Sequence, residues 1–254
     1  PPSVIGIFGI TYRPDFPYYL QYNLNVQREL PGEFRLQAAY VGSRGIHLVR
    51  TGEANPFVPA FNRRTNPNLG SQVLMATDAQ SFYSSGQLSL LRRFSNGLST
   101  EASYTYSKSI DDQSGTFPSD YTSESGIAQN FYDRKGDRAR SSFDRTHAFV
   151  LNYLYELPFF RGRPSAGGWG IGGVLTLLSS APFTANLGSF NNSLTQSLVS
   201  ADRPDLKPNA KPCAANSGDP DRWFDPTIFT LPAPGTFGNA GRNIMCGPAL
   251  KNLD

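Results

Sequence analysis

Gly168-Trp169-Gly170-Ile171-Gly172-Gly173 fits the GxGxxG spacing that can hold a pyrophosphate between a strand and a helix N-terminus. Here Pro164 and Gly167 precede it, and the strand-like run Val174-Leu175-Thr176-Leu177-Leu178 follows. These glycines therefore read as bending or close-packing positions in a strand. Asp219, Asp221 and Asp225 suggest a calcium loop, but the turn glycine and bidentate Glu are missing, and Pro220 and Pro226 fit a solvated loop. His47 and His147 lie in or beside strand-like runs with no nucleophile motif nearby, so no catalytic set emerges. The expectation is a non-enzyme with no cofactor. Asp111, Asp112, Asp133, Asp137 and Asp144 alternate with Arg134, Arg138, Arg140 and Arg145. Such groups pair with one another or stay solvated by default. Asp111, Asp112, Arg134, Asp137 and Arg138 are the candidates for facing a polar ligand. Cys213 and Cys246 are the two cysteines; without a CxxC, zinc is not expected. They either close one disulfide or remain two thiols, and their spacing does not decide.

The elements that would carry these residues alternate with period two. Tyr18, Leu20, Tyr22, Leu24 and Val26 share one face, with Tyr19, Gln21, Asn23, Asn25 and Gln27 on the other. After Pro31-Gly32, Phe34, Leu36, Ala38 and Tyr40 alternate with Arg35, Gln37, Ala39 and Val41. A run over 82–95 leads to Asn96-Gly97, a strong hairpin signal, and then to Leu98-Thr100-Ala102-Tyr104-Tyr106 against Ser99-Glu101-Ser103-Thr105-Ser107. Phe149, Leu151, Tyr153 and Tyr155 alternate along 146–157, and a Gly-rich apolar run covers 169–180 beyond a Pro/Gly-rich turn. Strands are expected over about 18–30, 33–48, 81–95, 98–110, 145–157 and 169–181, with short turns at 31–32, 96–97 and 158–168.

The polar faces carry mainly Gln, Asn, Ser and Thr, which suits a barrel interior better than the Lys/Glu surface of a soluble sandwich. Long connections over about 50–80, 110–143 and 182–248 alternate with the short turns. Antiparallel strands then place all long connections at one end, the asymmetry of outer-membrane barrels. Composition suits a barrel and an ordinary all-β sandwich alike: 39% of residues are hydrophobic, yet 13% are aromatic, with 18 Phe and 12 Tyr. No window approaches the roughly 18 apolar residues of a spanning helix, so a membrane form must be a closed barrel. The net charge of +3 is dispersed without a basic run, which argues against a nucleic-acid partner. The fold class expected is all-β, an antiparallel transmembrane β-barrel.

Gln21-Tyr22-Asn23-Leu24-Asn25-Val26-Gln27-Arg28-Glu29-Leu30 with Ala39-Tyr40-Val41-Gly42-Ser43-Arg44-Gly45 resembles the barrel of Oar-like TonB-dependent receptors. So do Tyr104-Thr105-Tyr106-Ser107-Lys108-Ser109-Ile110-Asp111-Asp112, Phe143-Asp144-Arg145-Thr146-His147 and Tyr155-Glu156-Leu157-Pro158. Asp202-Arg203-Pro204, Trp223-Phe224 and Phe237-Gly238-Asn239-Ala240-Gly241-Arg242-Asn243 extend the likeness over nearly all of 18–254. The resemblance implies a 22-stranded barrel in the bacterial outer membrane, with a plug and a regulatory-like domain that this chain does not show. On that reading residues 1–254 are one partial barrel domain from the C-terminal side of a longer protein. The partners implied are outer-membrane lipid, an unknown bulky solute and, through the missing plug, the TonB complex. Two other functions stay open: surface adhesion on a barrel stage, and a soluble carbohydrate-binding β-sandwich.

Overall fold

The computed structural model describes residues 6–95, 97–115, 126–158, 168–188, 191–199, 201–215 and 219–254. One nine-stranded sheet dominates. Its strands are β1 (Ile7–Ile10), β2 (Tyr18–Leu30), β3 (Phe34–Glu53), β4 (Gln72–Ser95), β5 (Leu98–Asp111), β6 (Ala139–Arg140), β7 (His147–Glu156), β8 (Gly170–Leu178) and β9 (Leu250–Leu253). Across the sheet the order is β9-β8-β7-β5-β4-β3-β2, antiparallel throughout. β1 pairs in parallel with the start of β4, and β6 lies beside the end of β5. The described sheet is open, with β2 and β9 at its edges.

All six expected strands form, and the short connections stand at one end. Several boundaries differ. β3 runs on to Glu53 and β4 begins at Gln72, so both ends of the stretch expected as a 50–80 connection are strand and extend this hairpin, while 54–71 connects them. Its alternation is hidden because both of its faces meet protein: Arg50, Thr51, Glu53, Val73, Ala76 and Ala79 are all buried. The first turn has three residues, since Leu30 pairs with Phe34, and Gly32 and Glu33 have φ of 81° and 64°. The strands β1 and β9 were too short for periodicity to reveal. At the second turn Asn96 lies outside the described residues. Gly97 has φ of 83°, as a primed hairpin turn needs. Ser95 pairs with Leu98, and a bulge between Arg92 and Ser95 takes up one residue. Most of the 158–168 turn, residues 159–167, also lies outside the described residues.

Register fixes the two faces. Ala38, Leu88, Tyr104, Phe149 and Leu177 form one cross-strand row, and Leu36, Leu90, Ala102, Leu151 and Leu175 form the next. The opposite face holds rows such as Gln27-Gln37-Ser89-Ser103 and Asn25-Ala39-Gln87-Thr105. The apolar face is uncovered: Leu24 is 67% exposed and Leu88 48%. Among the described residues the other sheets are two-stranded ribbons, Phe57–Val58 with Arg63–Arg64, Pro182–Phe183 with Met245–Cys246 and Asp205–Leu206 with Phe229–Thr230. Among the described residues no second sheet packs on the apolar face, and the soluble sandwich is set aside. A face of this kind is stable only against lipid.

Charges mark where the lipid layer ends. In the spanning rows the apolar face carries Arg28, Arg92, Arg44, Lys108 and Lys251, and no carboxylate. Towards the long connections lie Arg44 on β3, Lys108 on β5 and Lys251 on β9. Carried along the ladders to β3, they fall level with positions 44, 42 and 38. At the short-turn end Arg28 on β2 and Arg92 on β4 fall level with 36 and 34. Both edges descend by about one residue per strand. Strands about 4.8 Å apart and tilted by about 35–45° produce that shift. The edges are therefore parallel, about nine residues or 30 Å apart along a strand, and about 23 Å apart across the membrane. That is the height of an outer-membrane apolar band. Aromatics run from the middle of the band towards its long-connection rim, where Tyr22 stacks on Tyr40 and Tyr104 on His147, with ring centroids 6.2 and 6.1 Å apart.

Candidate functional site: the cap on the long connections

The long connections fold together into a cap beyond the rim. Its described hydrophobic core is small, Val73, Ile127 and Ala201 with Val199 against them. Buried polar chemistry holds the rest. Glu53 accepts the amides of Asn55 and Gln72, each at 2.9 Å, and the Ser71 hydroxyl. The Asn55 amide then donates to the carbonyls of Asn66, Leu69 and Gly70 at 3.0, 3.1 and 2.8 Å, which shapes the 55–71 loop. Arg50, 2% exposed, grips Asp78 through Nε and Nη2 at 3.0 and 2.8 Å and lies 5.0 Å from the centre of the Phe131 ring.

Two arginines of the last long connection fasten it, Arg242 to the end of β5 and Arg203 to the connection that follows β5. Arg242 donates to the Asp111 carboxylate, to the Asp111 carbonyl at 2.7 Å and to the Asp137 carbonyl at 2.7 Å. Arg203 pairs with Asp137 at 3.0 Å and donates to Gln129. Gly238 permits this crossing, because a Cβ there would collide with the backbone of Arg203 and Pro204. Asp112 accepts the Gln80 amide at 2.9 Å and has Arg134 and Arg138 at 3.6 and 3.7 Å.

Three of the residues expected to face a ligand are held by protein groups. Asp111, Asp112 and Asp137 are buried and bound to protein partners, because the connections fold onto the rim. Arg134 and Arg138 keep side chains 41% and 48% exposed. The default pairing reading describes Asp111, Asp112, Asp137 and Asp144, the last held by Arg140 at 2.9 Å. Burial pushes Asp137 up to about 6 against the pull of Arg203, Arg242 and Arg50, and its Oδ2 has no hydrogen-bond partner. Burial also raises Asp112, against its bond from Gln80 and its arginines. Asp78 is less enclosed: burial raises it, but the hydrogen bond and charge of Arg50 outweigh that and hold it low. Arg203 and Arg242 were missed as site residues. Both stand in stretches that carry the family likeness, but nothing local reveals partners more than 60 residues away.

Two adjoining clefts open between the connections. One, of about 200 Å³, is walled by Phe57, Ile127, Val199 and Phe237 with Asp202 and Thr195. The other, of about 230 Å³, is polar, with Asp133, Asp137, Arg203 and Asn239. Gln129, Asn130 and Phe237 belong to both. The pair offers an aromatic ring beside amide and charged groups, a lining able to hold a polar solute.

Cys213 and Cys246 form a disulfide with Cα atoms 4.9 Å apart, and Trp223 donates to the Cys246 carbonyl at 2.8 Å. Asp219 and Asp225 cap short 3₁₀ turns, accepting the amides of Asp221 and Thr227. Among the described residues no group of three or more His, Cys, Asp or Glu side chains is placed to hold a metal. Gly170 opens strand β8 with no helix after it. His147 accepts or donates a 2.7 Å bond with Tyr104, and His47 lies 3.4 Å from Asp15. No curated protein and no solved structure matches the chain. The family described as outer membrane beta barrel domain matches over residues 1–254, and the chain belongs to that family, a β-barrel of the bacterial outer membrane.

Proposed function

We propose that this domain is part of the barrel of an Oar-like TonB-dependent receptor, taking up or passing a bulky solute without catalysing a reaction. The observation that carries the reading is the inner face. Gln21, Asn23, Gln37, Gln87, Ser103 and Thr105 line it at register positions opposite the lipid-facing rows. Small neutral polar groups over this height suit a lumen filled by water and a plug. The cap beyond it offers clefts for capturing solute before passage. The partners on this reading are membrane lipid, the solute, and the TonB complex acting through a plug.

A photocrosslinker at Gln87 in the full-length receptor tests this. A crosslink to a plug segment of the same polypeptide, together with binding of purified TonB, is expected. A lumen without such a segment and no TonB binding would refute it. The extent of the cap favours adhesion as the second reading. Deleting residues 191–246 would then abolish surface attachment and leave uptake unchanged.

A further inference from the structure

The lipid-facing side carries a polar notch at its long-connection rim. Arg44 and Lys108 are exposed there. They stand two strands and two residues apart, about 12 Å between Cα atoms from strand spacing and rise. Ser84 lies between them, directly across from Lys108, and its hydroxyl bonds that of Tyr40 at 3.0 Å. One row nearer the midplane, Gly86 sits between Tyr40 and Tyr106, and a Cβ built on it meets nothing within 4 Å. On the other side Gly42 lies under the Tyr22 ring. The result is an open slot between two tyrosines, leading up to two hydroxyls flanked by two cations.

Among the described residues neither cation has a carboxylate partner on this face. Unpaired charge at a lipid interface is costly, and long basic side chains recruit anionic groups there. We propose that Arg44, Lys108, Ser84 and Tyr40 bind the phosphate of an anionic lipid in the leaflet on the cap side, with an acyl chain seated over Gly86. Charge complementarity selects a phosphate: it accepts from both cations and from the one hydroxyl of the Ser84–Tyr40 pair whose proton their mutual bond leaves free. The short-turn edge has cations too, but Arg92 there lies over the Phe34 ring, 5.3 Å from its centre.

The test uses the full-length protein in phosphatidylcholine nanodiscs, titrated with lipid A and followed by native mass spectrometry. Arg44→Gln with Lys108→Gln should weaken lipid A binding by about thirtyfold, the loss of two interfacial cations. Gly86→Leu, which fills the slot and keeps the charges, should also weaken it. Arg28→Gln with Arg92→Gln should not. Heat-modifiable migration checks folding of each variant, and Tyr40→Phe with Ser84→Ala replaces any that does not fold. Unchanged binding in the rim variants, equal binding of dephosphorylated lipid A, or displacement by inorganic phosphate would each overturn the proposal.

Discussion

Arg242→Gln should release the cap from the rim while leaving the sheet intact. Arg242 is 5% exposed and joins the Asp111 carboxylate and carbonyl, the Asp137 carbonyl and, at 3.1 Å, the Ser114 hydroxyl. Gln cannot span these partners, and it leaves Asp111, 4% exposed, as an uncompensated buried charge. Breaking a buried pair in this way costs about 3–5 kcal/mol. The cost falls on local opening, because β4 and β5 hold their own ladder. Hydrogen exchange of amides over 109–112, 136–141 and 236–244 should then quicken by roughly 10²- to 10⁴-fold. Peptides over Leu88–Thr105 should be unchanged in the same full-length sample. Asp111→Asn with Arg242→Met, which removes both charges, should open less than Arg242→Gln alone. Acceleration under tenfold, or equal acceleration in the strands, would refute the view that this arginine fastens the cap.

Asp137 should make the cap pH-sensitive. Its folded value of about 6 lies above the ordinary 3.8, so the folded cap binds the extra proton. The sign follows: cap stability is greatest at low pH, declines as pH rises from about 4 to about 6, and levels off above, for a total of about 3 kcal/mol. Asp112, raised in the same direction, adds to the decline, and Asp78, lowered, opposes it. Hydrogen exchange of the cap across this window should show a shallower slope in Asp137→Asn, and an identical slope would count against the assignment. Gly97→Val should reduce the heat-modifiable, folded fraction of the full-length protein more than Gly115→Val. Gly97 has φ of 83°, where a β-branched residue is strained. Equal assembly of the two would show that this turn does not set the register.

The barrel strands were legible where lipid and lumen impose opposite chemistry on alternate residues, as in Tyr18–Leu30 and Leu98–Asp111. That signal stops at the rim. Above it, Leu48 to Glu53 and Gln72 to Gln80 remain paired, but cap and neighbouring strand bury both faces, so no period survives. β1 and β9 span four residues each, too few for a pattern. The cap was illegible for a different reason. Its specificity lies in pairs such as Arg242 with Asp111, separated by 131 residues, and local spacing cannot name such partners. The charges of 111–145 were visible, but their inward turn was not. The disulfide likewise depends on the path of the chain between Cys213 and Cys246, a sequence separation of 33 over which the described elements are no longer than four residues.

The Leu88 face of the sheet meets lipid and the Gln87 face meets the lumen. Leu88 is level with position 38 of β3, close to midway between the two cation edges, and Gln87 is its chain neighbour on the other face. Arg substituted at each position in the full-length protein, with unfolding measured in a lipid bilayer, compares the two directly. Leu88→Arg should cost about 2–4 kcal/mol, as expected at a bilayer midplane, and Gln87→Arg about 1 kcal/mol or less. Equal costs, or a larger cost at Gln87, would contradict the account.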